Sequence, residues 1–99
     1  PILKLRVIVG IAYLEDKTDA IHISLDVDAL DPIHTPGTGT PVTGGLSLVD
    51  TQVTMETLNR NGKVVSMDLV EVNPLIDINN ETAENAVLIT EYIFGKRKL

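Results

Sequence analysis

The sequence predicts an α/β fold, a parallel β-sheet with flanking helices, and three observations carry that expectation. From Ala20 onward the chain reads strand, loop, helix, strand, loop, helix, and strands that alternate with helices imply parallel strands joined by right-handed crossovers. Its apolar content is 43%, mainly Val, Ile, Leu and Ala, with only 3% aromatic, the usual filling of a parallel sheet packed beneath helices. Both strand-like runs end in turn signals, Asp31-Pro32 and Asn73-Pro74.

Each element has its own justification. "AIHISLDVD" (residues 20–28) is dominated by apolar and β-branched residues from Ile21 to Val27 and reads as a strand. "DPIHTPGTGTPVTGG" follows, with three prolines and four glycines in fifteen residues. Such a stretch is a loop, and long loops in compact domains are usually functional. "SLVDTQVTMETLNRNG" (47–62) reads as a helix with Ser47 as N-cap and Asp50 three residues on. Leu48, Val49, Val53, Met55 and Leu58 form its expected apolar side, and Gly62 ends it. "KVVSMDLVEVNP" (63–74) is a second strand. "ETAENAVLITEYIFG" (81–95) is a second helix, with Asn80 or Thr82 as cap, Glu81 and Glu84 at its positive end and Gly95 as terminator. The first fourteen residues fit helix or buried strand, with helix favoured.

Composition excludes several classes of function. The 99 residues make one small domain or a piece of a larger one. Net charge is −6 with no run of five or six like charges, which argues against nucleic acid, because phosphate binding needs clustered Lys and Arg. "KRKL" (96–99) reads as a solvated helix end. With no cysteine, neither a disulfide framework nor a thiolate metal site can form. "VIVGIAYL" (7–14) is too short to span a bilayer, and "EDKTD" after it does not suit a signal-peptide cleavage site. A cation is the more plausible partner.

In open parallel sheets the working residues lie at the carboxyl ends of the strands. Asp26 and Asp28 stand at the end of the first strand and Glu71 at the end of the second. "DVDALDP" could be an EF-hand start, but counting from Asp26 puts Asp31 at position six and Gly37 at twelve, where Gly and Glu are needed. "GTGTPVTGG" suggests a phosphate cradle, yet no Gly-Lys-Ser/Thr follows. Two readings stay open. The aspartates can serve a turn begun at Asp31-Pro32, or Asp26 and Asp28, two apart on a strand end, can point the same way and hold a hard cation such as Mn²⁺ or Mg²⁺.

"SLDVDALDPIHTPGTGTPVTGGLS", from Ser24, resembles the signature of the arginase (ureohydrolase) family, S-x-D-x-D-x-x-D-P-x-x-x-P-G-x-G-T-P-x-x-G-G-L, at every fixed position to Leu46. "MDLVEVNP" (67–74) is similar to the family's second C-terminal block, and the likeness covers roughly residues 19–99. Asn73 in "EVNP" resembles arginases proper, where agmatinases tend to carry "EVSP", and "YLEDKTD" resembles the lead-in of bacillus-type enzymes. The resemblance implies the C-terminal part of a three-layer α/β/α fold and a centre with two Mn²⁺ ions bridged by hydroxide. By that likeness Asp26 bridges both ions, Asp28 chelates one, Glu71 pairs with the substrate guanidinium and Thr40 lies near the substrate. Asp31 matches a position that organises the loop. The implied reaction is hydrolysis of L-arginine to L-ornithine and urea. Metal binding can lower the pKa of water from 15.7 to about 7, giving a nucleophile for a poor electrophile, and a fixed carboxylate suits a planar guanidinium.

The histidines fall outside the family's ligand motifs. His22 is expected to be packed and satisfied within the sheet, and His34, in the loop, to be exposed. Two histidines, two further aspartates and a proton-shuttling histidine would come from segments preceding this part of the family's chain. The chain is therefore expected to be a single partial domain over 1–99, the C-terminal third of an arginase domain, with 1–18 a divergent lead-in. It is also expected to be inactive alone, cytoplasmic, free of membrane and nucleic acid, and homo-oligomeric through apolar helix faces or sheet edges. The competing reading is a non-catalytic, self-associating remnant, or a segment of agmatinase or another ureohydrolase. An upstream frame encoding D-x-H-x-D would decide for the enzyme.

Overall fold

Alternation of Ile21, Ile23 and Leu25 with His22, Ser24 and Asp26 gives the first strand, β1 (Ile21–Asp26), one apolar and one polar side. The molecule is seen in a computed structural model, which describes residues 13–14, 16–41 and 43–97. The helix expected over the first fourteen residues falls largely outside these; Tyr13 and Leu14 are helical. The second strand, β2 (Val64–Val70), lies parallel to β1. Ile21 pairs with Val64, the register then slips by one residue, and His22 to Asp26 pair with Ser66 to Val70. A single residue inserted there turns the following side chains onto the side they need. The sheet is the expected parallel one.

Helix α1 (Leu48–Asn61) connects the strands. The Ser47 hydroxyl accepts from the Asp50 amide at 3.0 Å, and Gly62 ends the helix in the left-handed conformation at φ 83°, both as expected. Its inward face differs from the expected one. Val49 is 52% exposed, while Thr51, Gln52, Met55 and Glu56 are buried. Of the polar members, Thr51 donates to the Ser47 carbonyl at 2.9 Å, and Glu56 Oε1 accepts from Arg60 at 2.9 Å.

Helix α2 (Glu81–Ile93) packs beside α1 on the same side of the sheet. Leu25 and Leu30 meet Met55 of α1 and Ile89, Tyr92 and Ile93 of α2 in one core. Leu30 and Ile89 are 0% exposed, and such burial stabilises by about 2 kcal/mol per side chain. The cap of α2 is Asn80, one of the two residues expected there, but it caps without its side chain. Asn80 stands at the N-cap at φ 58° with no side-chain cap bond, and the Thr82 hydroxyl accepts from Gly37 N–H instead. With Asn79 and Asn80 both left-handed, the chain folds back, so that Asp77 accepts from the Thr82 and Ala83 amides at 3.0 and 3.2 Å. Gly95 terminates the helix at φ 118°. No helix among the described residues is long and apolar enough to cross a membrane.

Candidate functional site at the carboxyl edge of the sheet

β1 ends at Asp26, and the chain turns at once into a single 3₁₀ turn, Val27–Ala29. Asp26 caps that turn, its Oδ1 accepting from the Asp28 amide at 2.9 Å. Asp28 therefore lies beyond the strand. Strand alternation, the expected cause of its place beside Asp26, does not apply; the amide-to-carboxylate bond holds the two together. Asp28 Oδ2 in turn accepts from the Thr40 hydroxyl at 2.6 Å. One oxygen of each aspartate is thus occupied, and the other takes no hydrogen bond among the described residues. Carboxylate oxygens arranged in this way suit a hard divalent cation, although no group of three or more metal-ligating side chains gathers among the described residues.

The loop that carries Thr40 is organised by Asp31, as expected of it. Asp31 Oδ1 accepts from Ile33 N–H at 3.0 Å, and Oδ2 from Gly44 N–H at 2.9 Å. Those two amides, with His34 nearby, hold its carboxyl below the ordinary carboxylate range against the opposing effect of burial. Leu30 and Leu46 form a parallel bridge that closes the loop. Gly45 allows it, because a Cβ there would lie 2.7 Å from the Leu30 carbonyl carbon and 2.8 Å from Ala29 O and Asp31 N. Beneath, buried Thr35 donates to the Val27 carbonyl at 3.0 Å.

Glu71 is the first residue past β2, one beyond the Asp26–Val70 pair, so the sheet brings it to the edge that holds Asp26. It is exposed and left-handed, φ 71°, a conformation that costs a residue with a Cβ about 1 kcal/mol and clusters at functional positions. Asn73 supports it by donating its amide to the Gly37 carbonyl at 2.7 Å, which ties this loop to the one after β1.

The histidines stand differently from expectation. His22 is not packed: its side chain is 49% exposed, on the side of the sheet that neither helix covers. It is nonetheless satisfied, with Nδ1 2.7 Å from Ser66 Oγ and Nε2 3.2 Å from Asp68 Oδ2. His34 is half-buried instead of exposed, because Asn85 of α2 donates to its carbonyl at 2.7 Å and draws the loop onto the helix. Sequence reasoning also passed over Asp77, whose only signal was an aspartate shortly before a helix.

A parallel sheet with helices packed on it and carboxylates at the carboxyl ends of both strands defines an α/β protein of the open-sheet class. Within that class the chain belongs to the arginase family, whose family model matches residues 7–95. Arginase of Staphylococcus aureus (strain COL) is 54% identical over 90 residues, covering 90% of this chain and 30% of that protein. The solved arginase of Bacillus caldovelox matches with a TM-score of 0.93 at 41% identity, over 98% of this chain and 32% of that one. The agmatine ureohydrolase of Thermoplasma volcanium matches with a TM-score of 0.72 at 32% identity, over 88% of this chain and 29% of that one. The chain thus spans 30% of the length of its curated Staphylococcus relative.

Proposed function

We propose that this chain forms one wall of a manganese-dependent arginase centre that hydrolyses L-arginine to L-ornithine and urea. The observation that carries the reading is the edge itself. Among the described residues Asp26 and Asp28 each keep one carboxylate oxygen free of hydrogen bonds, and Glu71 stands one residue beyond the strand position paired with Asp26. Asp26 and Asp28 would hold manganese. Thr40 fixes the rotation of Asp28 by its hydrogen bond. Bound manganese would supply water acidified enough to attack at neutral pH. Glu71 would orient the guanidinium, whose planar, permanent charge a fixed carboxylate holds well. Asn73 and the better match to an arginase than to an agmatine ureohydrolase favour arginine over agmatine.

Two carboxylates do not complete a centre with two ions, so the 99 residues alone are proposed to release no urea. Self-association and a cytoplasmic location belong to the same reading; cell fractionation checks the latter. The direct test is a chimera in which this chain replaces the matching segment of the Bacillus caldovelox arginase. Urea release from L-arginine with Mn²⁺, lost in Glu71→Gln and Asp28→Ala, supports the reading. A folded, manganese-loaded chimera that releases none, or that prefers agmatine, contradicts it. So does urea release by the isolated chain that Asp28→Ala abolishes.

A further inference from the structure

Gly37 is buried, and every part of it is in use. Its N–H donates to Thr82 Oγ1 at 2.6 Å. Its carbonyl accepts from the Asn73 amide at 2.7 Å. Where a Cβ would be, Asp77 already stands, its Cβ and Cγ 2.7 Å from that position. Asp77 and Thr82 are themselves locked together at the start of α2. Asp77 accepts from the amides of Ile78, Thr82 and Ala83 at 2.9, 3.0 and 3.2 Å. Burial pushes its carboxyl up, but these hydrogen bonds together hold it below the ordinary range, so it is an anion at neutral pH.

An aspartate that only capped α2 would need nothing but the helix amides. This one also fills the space that Gly37 leaves, and its partner Thr82, 0% exposed, holds the Gly37 amide. The two loops at the sheet edge meet at that point. A short run from Gly37 leads to Thr40 and its bond to Asp28; a short run back from Asn73 leads to Glu71. The support beneath is rigid, since α2 is fixed in the core by Ile89, Tyr92 and Ile93.

We propose that Asp77 and Thr82 are positioning residues, which set the spacing between the Asp28–Thr40 pair and Glu71 through Gly37 and Asn73. The inference rests on the arginase reading for its purpose, because a cation held on one loop and a guanidinium held on the other must be a fixed distance apart for attack. The coupling itself is a property of this chain and is testable without metal. Neither residue touches substrate or metal in this account; both act through the loops.

The test uses nuclear magnetic resonance on the 99-residue chain and its variants Thr82→Val, Thr82→Ser and Asp77→Asn. In Thr82→Val the Gly37 and Asn73 amides should exchange with solvent faster, and the signals of Asp28, Thr40 and Glu71 should shift while Met55 and Leu30 stay in place. Thr82→Ser, which keeps the hydroxyl, should restore all of them. If Thr82→Val does not fold, Asp77→Asn carries the same comparison. Manganese, titrated by its broadening of the Asp28 amide, should bind Thr82→Val about tenfold more weakly, the loss expected when a ligand's orienting partner is disturbed. Changes confined to Ile78–Glu84, or failure of Thr82→Ser to restore the loop signals, would overturn the proposal. If manganese broadens nothing in the unaltered chain, the metal reading falls while the exchange and shift comparison still decides the positioning role. Manganese binding that Asp28→Ala removes and Thr82→Val leaves unchanged sinks the positioning role alone.

Discussion

The loop after β1 and the loop after β2 reach the same sheet edge, yet they are held by different means. The first ties itself down: Asp31 gathers the Ile33 and Gly44 amides, and the Leu30–Leu46 bridge closes its ends. The second leans on its surroundings. Asn73 borrows the Gly37 carbonyl, Asp77 anchors to α2, and Leu75 is left 92% exposed. The difference shows where the fixed geometry of the edge originates. The aspartate-rich loop carries ties of its own beside its anchors on α2, at the His34 carbonyl and the Gly37 amide, and Glu71 is aligned to it from outside.

Gly45→Ala should break the comparison most severely. The new methyl group would meet three backbone atoms of residues 29–31 at 2.7–2.8 Å, none of which can rotate away. We expect a loss of about 3 kcal/mol in urea denaturation, near the top of the range for overpacking. Gly39→Ala, in the same loop with nothing within 4 Å, is the control and should change little. Similar stabilities for the two variants would mean that the loop's ends are not fixed as described.

Glu71→Gly tests the second loop. Glycine takes φ 71° without the penalty a Cβ brings, so the variant should be as stable as the parent or up to about 1 kcal/mol more stable. In the chimera it should abolish urea release. A clear destabilisation would show that the Glu71 side chain holds its loop, contrary to the picture drawn from Asn73 and Gly37.

Acid sharpens the comparison further, because each loop contains one carboxylate whose folded-state pKa is depressed, Asp31 in the first and Asp77 in the second. A depressed pKa means that the folded state favours the charged form. The contribution is therefore present above the unfolded carboxylate pKa near 3.9 and is lost as pH falls through the lower folded value. Denaturation followed from pH 6 to pH 2 should show stability falling below about pH 4, with a smaller fall in Asp31→Asn and in Asp77→Asn. A variant that retains the full acid slope removes its aspartate from the account.

Much of this was legible in the sequence, and the parts that were not share a cause. The strands, both helices, the Ser47 cap and the Gly62 stop follow from periodicity and capping chemistry, which act between neighbours in the chain. Asp26, Asp28 and Asp31 announce themselves as carboxylates in an apolar stretch. Asp77, and the bond of Thr82 beyond its expected place at the cap, are hidden because their partner, Gly37, is distant in sequence, and spacing carries no sign of such a contact. His22 reads as packed because it lies two steps deeper in the strand than Asp26 on the same side. Its neighbours Ser66 and Asp68 lie across the strand pair and appear only once the register is known.

The smallest expected effect lies away from the edge. Val65, Val87 and Phe94 are 69%, 61% and 83% exposed along β2 and α2, and β2 pairs only with β1 among the described residues. Unpaired strand edges and apolar patches favour association. Light scattering behind size exclusion should find a dimer or larger species, and Phe94→Ser should shift it toward monomer. A monomer at micromolar concentration would show that these surfaces are covered within the chain.

The central claim is that Asp26 and Asp28 are metal-holding groups, and calorimetric titration of the chain with Mn²⁺ tests it most directly. Two carboxylates completed by water make an open site of low affinity, so the account predicts a weak event that disappears in Asp26→Asn and in Asp28→Asn. A tight event that survives Asp26→Asn would place the ligands elsewhere, at His22 or His34, and would contradict the account.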